Sequence, residues 1–249
     1  MSRKFMVLDT EACGIVPRDN DVRPEEMRVY DLGFIVADRD GIVYQRESMV
    51  DIARLTQRDV YRGYNDRLVN SAYYAEKLPQ YWAGIRTGEW EPCSFFDIHE
   101  RVKDAIKNWG IRDIWAYNAK FDRSALNATI AEESNGYCRF FTPYKTQWRD
   151  IWGAASECIT NTPKYVKWCS KHGYMSDKGN PTTSAEIVYR YLTGDHDFAE
   201  QHTALSDCEI ELAILLKCFK AHKKKPKSLG NGWRNASKIA RELREKGDL

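Results

Sequence analysis

Five side chains in three separated clusters are of the types that hold divalent cations and move a proton. Asp9 and Glu11 stand in Val7-Leu8-Asp9-Thr10-Glu11, Asp122 closes Asn118-Ala119-Lys120-Phe121-Asp122, and His202 and Asp207 frame His202-Thr203-Ala204-Leu205-Ser206-Asp207. Phosphodiester hydrolysis needs a nucleophilic hydroxide near neutral pH and neutralisation of charge on the phosphoryl and leaving oxygens, and two divalent cations about 4 Å apart supply both. Hard cations such as Mg²⁺ or Mn²⁺ take oxygen ligands and are held by a few carboxylates. Asp9, Glu11, Asp122 and Asp207 are ligands of that kind. His202, five residues before the last carboxylate on the loop entering its helix, is placed to act as general base toward the attacking water. Each cluster alone is weak, because a chain with 36 Asp and Glu among 249 residues holds about five Asp/Glu-x-Asp/Glu triplets by chance. Order, spacing and setting carry the reading.

The elements expected around these residues make them converge. Phe5-Met6-Val7-Leu8 is a continuous apolar run ending in acids, as in a buried central strand that delivers side chains to its C-terminal edge. Asp9 and Glu11, two apart on extended backbone, point to the same side. A second strand fits Val29 to Ala37, and the turn Asp38-Arg39-Asp40-Gly41 leads to a third from Ile42 to Val50, completing an antiparallel meander. Residues 52–92, with Pro79 and Pro92, offer only short helical patterns. Ser94 and Asp97 form a capping-box start, Ile98, Val102, Ala105, Ile106 and Trp109 recur at helical spacing, and Gly110 ends the helix. Ile111 to Tyr117 reads as a strand and Phe121 to Glu132 as a helix, so Asp122 falls at a strand-to-helix junction. Helices are expected near 148–159, 163–172 and 183–192. A final core helix is expected from Ala204 to Phe219, with Leu205, Cys208, Leu212 and Leu215 or Leu216 as its stripe. Strands first, then helices alternating with later strands, argue for an α/β chain with a mixed sheet flanked by helices.

A chain that is 43% hydrophobic can bury a substantial core as one elaborated domain, here residues 1–219, followed by an extension over 220–249. The overall charge of +2 hides an asymmetry: the extension holds ten Lys and Arg against three Asp and Glu, leaving the body at −5. Nucleic-acid binding would therefore rest on the tail or a local groove rather than global charge. Ala236, Ile239, Ala240 and Leu243 share one face of a short helix in that tail. No run approaches eighteen apolar residues and the N-terminus meets an acid too early for a signal peptide. The expectation is an intracellular, cytoplasmic protein with no membrane partner. Seven cysteines, with no Cys-x-x-Cys pair, read as reduced thiols.

Together the clusters resemble the DEDDh branch of the DnaQ-like 3′-to-5′ exonucleases. Asp9-Thr10-Glu11-Ala12-Cys13-Gly14 resembles the family's first motif, Asn118-Ala119-Lys120-Phe121-Asp122 its second, and His202-x-Ala204-x-x-Asp207 its third and most specific. The resemblance covers residues 4–219 in layout. It implies a ribonuclease-H-like core with a five-stranded mixed sheet, an antiparallel meander followed by parallel strands. It also implies two cations, Mg²⁺ or Mn²⁺: Asp9 bridging both, Glu11 and Asp207 on the nucleophile's metal, Asp122 near the second, and His202 as base. Thr10, Gly14 and Ile15 would lie against the terminal nucleotide, and Asn118 and Phe121 would shape the pocket for the 3′ end. The implied partner is single-stranded DNA or RNA with a free 3′ end. Two other classes stay open at this point: a nucleic-acid-binding module of the same fold without catalysis, and a ribonuclease-H-like endonuclease.

Overall fold

The computed structural model describes residues 3–14, 27–56, 72–222, 226 and 232–249. Its centre is a six-stranded sheet in the order β4-β3-β2-β1-β5-β6. Strand β1 (Phe5–Gly14) pairs antiparallel with β2 (Met27–Ala37), which pairs antiparallel with β3 (Val43–Asp51). On its other side β1 pairs parallel with β5 (Asp113–Ala116), and β5 pairs parallel with β6 (Gln147–Asp150). The sixth strand, β4 (Glu91–Cys93), adds to the free side of β3. The sheet thus has one strand more than the five expected. The addition is three residues long and contains Pro92, which an edge strand tolerates because one side makes no ladder bonds.

As the apolar run predicts, β1 is central and buried on both faces. Phe5 and Val7 join one core cluster while Met6 and Leu8 join another. Helices α3 (Phe95–Trp109) and α4 (Ala119–Glu133) cover the Met6 and Leu8 side. The other side is covered by α5 (Ile151–Ala155) with the π-helical turn Ser156–Thr160, α6 (Pro163–Lys171), α7 (Ala185–Thr193) and α8 (Ala204–Ala221). Helix α3 carries the expected capping box, with Ser94 and Asp97 bonding each other's backbone N–H, and Gly110 ends it at φ 64.

Two segments depart from the sequence pattern. Residues 147–150, near the start of an expected helix, form β6. The segment is too short for its period to show, and pairing with β5 decides its state. The short helical patterns of 52–92 become α1 (Ile52–Thr56) and a sixteen-residue α2 (Ala72–Thr87) that runs through Pro79. Tertiary packing compensates for the lost backbone bond: Tyr81 is fully buried among Tyr30, Val50 and Trp90. The segment 57–71 lies outside the described residues. In the extension, α9 (Trp233–Glu245) packs Ala240 and Leu243 against Val166 of α6, and Ala236 is buried as well. No helix among the described residues is long and apolar enough to cross a membrane.

One packing contact sets the position of the functional end of the sheet. Gly33 of β2, paired in register with Asp9, lies directly under the start of α8, where an added Cβ would stand 2.3 Å from the Leu205 nitrogen and 2.5 Å from the Ala204 carbonyl carbon. These are main-chain atoms, so the helix itself would have to move. We expect Gly33→Ala to cost about 1–3 kcal/mol of stability, as overpacking of a tight interior does. The urea midpoint of the variant checks this, and an unchanged midpoint would refute the account.

Candidate functional site

The middle of β1, just past its pairing with β5, and the first turn of α8 meet because α8 sits so low on β2. Asp9 and Glu11 leave β1 on the face that α8 covers, and Asp207 projects from the helix's first turn. One oxygen from each of the three carboxylates lies within 4.8 Å of the others. Asp122, buried in the first turn of α4, accepts a hydrogen bond from the Thr10 hydroxyl at 2.8 Å, which ties α4 to β1 between the two strand acids. His202 sits on the loop entering α8 with φ 53, a left-handed conformation uncommon outside glycine, though histidine adopts it more readily than most side chains. Its Nδ1 is 3.6 Å from Glu200 Oε2, and Glu200, His202 and Asp207 form a second group with ligand atoms within 4.8 Å.

The expected nucleotide contacts are placed less uniformly. Asn118 also adopts left-handed backbone, at φ 63, and its N–H donates to Asp150 Oδ1 at 3.2 Å. Asp150 Oδ1 also accepts from the Trp152 N–H at 2.9 Å, so one carboxylate fixes both the turn before α4 and the start of α5. Phe121 is half-buried, with its N–H donating to the Asn118 carbonyl. Gly14 ends β1 opposite Met27, beyond a register shift between Glu11 and Ala12. Ile15 lies outside the described residues.

Several residues at this end are not singled out by any motif. Glu211, one turn after Asp207 on the same face of α8, is buried, accepts from the Tyr117 N–H at 3.1 Å through Oε1, and leaves Oε2 without a hydrogen-bond partner. Its i, i+4 spacing from Asp207 is a signal the sequence does carry. Asp31 lies opposite Glu11 in the sheet register, and its Oδ2 accepts from the Tyr81 hydroxyl at 2.7 Å and the Ala204 N–H at 3.0 Å. It caps α8 from another strand, because Thr203 at the N-cap position makes no side-chain cap of its own. Only the register reveals that role.

Burial and mutual repulsion push these acids up together. Desolvation is the largest cause for every one of them, followed for Asp9 by the charges of Glu211, Asp122, Glu11 and Asp207. Asp9, Glu11 and Glu211 are held well above the usual carboxylate range. Burial raises Asp31 to about 6 and Asp207 to about 6, each against hydrogen bonds that lower it. It also raises Asp122 to about 7 and Glu200 to about 7. Burial and the nearby Lys77 ammonium lower His202, which keeps its imidazole neutral and able to accept a proton near pH 7. Asp9 Oδ2, Asp31 Oδ1 and Glu211 Oε2 are buried without a hydrogen-bond partner in the protein. Buried oxygens in that state are costly unless a cation or proton joins them. With Lys77 the one cation beside these acids among the described residues, the converged oxygens of Asp9, Glu11 and Asp207 suit a hard divalent cation, while Asp122, bonded to Thr10, lies outside that converged group.

The meander, the central β1, the parallel β5 and β6 and the helices on both faces define a ribonuclease-H-like α/β fold, as the sequence leads one to expect. Among solved structures the chain is similar to Exonuclease I of E. coli. It matches that enzyme in complex with a 5cy-dT13 oligonucleotide at TM-score 0.54 and 13% identity over 98% of this chain and 43% of that one. It matches the apo enzyme at TM-score 0.52 and 14% identity, over 98% and 45%. An Exonuclease I/SSB-Ct complex matches at TM-score 0.52 and 12% identity, over 98% and 44%. The chain therefore spans less than half the length of these neighbours. No protein-family model matches the chain, nor does any curated protein by sequence.

The raised carboxyls make stability depend on pH in a definite direction. An acid whose folded value lies above its unfolded value favours folding below the unfolded value, near 4, and loses that contribution as pH rises through the folded value. For Asp31, Asp207 and Asp122 that window closes at about 6 to 7. In chelator, the melting temperature should fall by roughly 5–10 °C between about pH 5 and pH 8, and saturating Mn²⁺ should remove most of the fall. A melting temperature flat across that range in chelator would contradict the burial of charge described above.

Proposed function

We propose that the chain is a metal-dependent 3′-to-5′ exonuclease of the DEDDh, DnaQ-like group, releasing nucleoside monophosphates from single-stranded DNA or RNA. The observation that carries this reading is the convergence of Asp9, Glu11 and Asp207 with His202 beside them on the loop into α8. Asp122, bonded to Thr10, completes the set of four carboxylates. In this reading residues 1–219 form the exonuclease domain and 220–249 a basic extension.

When bound, two divalent cations, Mg²⁺ or Mn²⁺, supply charge neutralisation on the phosphoryl and leaving oxygens and lower the pKa of the attacking water. Asp9, Glu11 and Asp207 would hold the cation on the nucleophile's side, Asp9 would also serve the second, and Asp122 would contribute on the leaving-group side. His202 takes the proton from the attacking water, and its lowered pKa keeps the acceptor nitrogen available at neutral pH. Thr10 and Gly14 would lie against the terminal nucleotide, a role assigned by the motif to Ile15 as well, and Asn118 and Phe121 would shape the 3′-end pocket. The left-handed backbone at Asn118, braced by Asp150, suits a rigid pocket wall.

Support for the substrate class comes from the Exonuclease I structures, which include complexes with dT13 and dA16 oligonucleotides, each at TM-score 0.51 and 15% identity. A zinc-ion-bound form of the Exonuclease I–ssDNA complex, at TM-score 0.52, bears on divalent metal. Both points concern those proteins and motivate the assignment here.

The test uses a 5′-labelled single strand with Mg²⁺ or Mn²⁺, run in parallel as DNA and RNA. A ladder shortening from the 3′ end is expected, abolished by chelator and by Asp207→Ala, and slowed about 10²- to 10⁴-fold by His202→Ala. Full activity in either variant would overturn the assignment. Internal cuts in a circular strand would point to an endonuclease, and binding without cleavage to a non-catalytic module.

A further inference from the structure

Helix α2 lies outside every acidic motif, yet it reaches the loop that carries His202 at two points. Lys77 Nζ donates to the carbonyl oxygen of His202 at 2.6 Å and also to that of Gln201. One turn along the same face of α2, the Tyr81 hydroxyl donates to Asp31 Oδ2, which in turn accepts the Ala204 N–H. The segment 201–204 is thereby held directly by α2 at residues 201 and 202 and, through Asp31 of β2, at Ala204. The segment needs such a brace because His202, at its centre, holds a left-handed backbone that side chains rarely adopt without surrounding support.

Lys77 also brings positive charge to the acids. Its ammonium interacts favourably with Glu11, Asp207, Asp31 and Glu200, in that order, against the cost of its own burial. Held on the carbonyl of His202, whose ring groups with Glu200 and Asp207 within 4.8 Å, the ammonium opposes cation binding at the neighbouring carboxylates by Coulomb repulsion.

We propose that Lys77 is a positioning residue for His202, a clamp from α2 that orients the base while weakening the affinity of the carboxylates for divalent cations. The proposal rests on the exonuclease reading above. Its two consequences have opposite signs, which a residue of purely structural importance would not produce. Removing the ammonium loosens the base loop, so catalysis falls, and it removes a competing charge, so cations bind more tightly.

The experiment compares the full-length wild type with Lys77→Met and Lys77→Arg. For Lys77→Met, kcat on a single-stranded oligonucleotide should drop about 10- to 100-fold with KM little changed, the scale expected when a catalytic group is misplaced by about 1 Å. Mn²⁺ affinity, read by electron paramagnetic resonance without substrate, should rise at least about threefold. Lys77→Arg, which keeps the charge and the donors, should retain wild-type Mn²⁺ affinity and recover part of kcat. Lys77→Gln carries the same expectation as the Met variant should that protein fail to fold. Unchanged kcat in a folded Met or Gln variant would overturn the proposal, as would a loss of kcat accompanied by weaker Mn²⁺ binding. If the wild type itself cleaves nothing, the exonuclease reading falls and the positioning role falls with it. If the wild type cleaves and the Met variant equals it, only the role of Lys77 is lost.

Discussion

Asp9, Glu11, Asp31, Asp122, Glu200, Asp207 and Glu211 share one end of the sheet, and the repulsion among them is the constraint that the surrounding structure accommodates. Burying a single unpaired carboxylate is unfavourable by several kcal/mol, and a group of them is tolerable only if protons, hydrogen bonds or cations offset the charge. Hydrogen bonds are distributed among them in graded fashion. Asp122 receives the Thr10 hydroxyl, Asp31 a tyrosine and a helix N–H, and Glu211 the Tyr117 amide. Asp9, central to the group, has an oxygen with no such partner, and it is the residue whose neighbours are most nearly all acids.

The scaffold divides the labour between main chain and side chain. Strand pairing decides that Glu11 faces Asp31 and Asp9 faces Gly33, and the start of α8 is seated on that glycine. Side chains then trim the local field: Asp31 answers the orphan N–H of α8, and Asp150 does the same for α5 while holding the Asn118 turn. The positive end of α8 also faces Asp207 in its first turn, a placement that favours negative charge there.

How much of this could be read from the sequence follows from where each element gets its stability. The apolar run of β1, the capping box and glycine stop of α3, and the helical stripe of α8 are local signals; α3 and α8 keep close to their expected bounds, while β1 runs six residues past its apolar run because β2 pairs with it as far as Gly14. Strand β6 has four residues and no period of its own, so its pairing with β5 is a tertiary fact. Helix α2 crosses Pro79 because Tyr81 and the Trp90 ring, packed flush against Gly84, repay the break. The same distinction runs through the site. The motif acids and His202 announce themselves by spacing, Glu211 does so weakly, and Asp31, Glu200 and Lys77 matter only because register and helix packing bring them there.

The contact at Gly33 has a bearing on divergence. At Gly33 the start of α8 rests on peptide atoms of β2, while further along the helix Cys208, Leu215 and Phe219 pack side chain to side chain on the sheet, so the backbone contact limits how closely its first turn approaches. Core residues under the rest of α8 can be exchanged for others of similar volume at modest cost, whereas the contact at Gly33 leaves no room for any side chain. Two chains could then share this layout with few identical residues, as the 12–14% identity to Exonuclease I over nearly the whole of this chain illustrates. What such chains could not trade freely is the absence of a side chain at one position in the second strand.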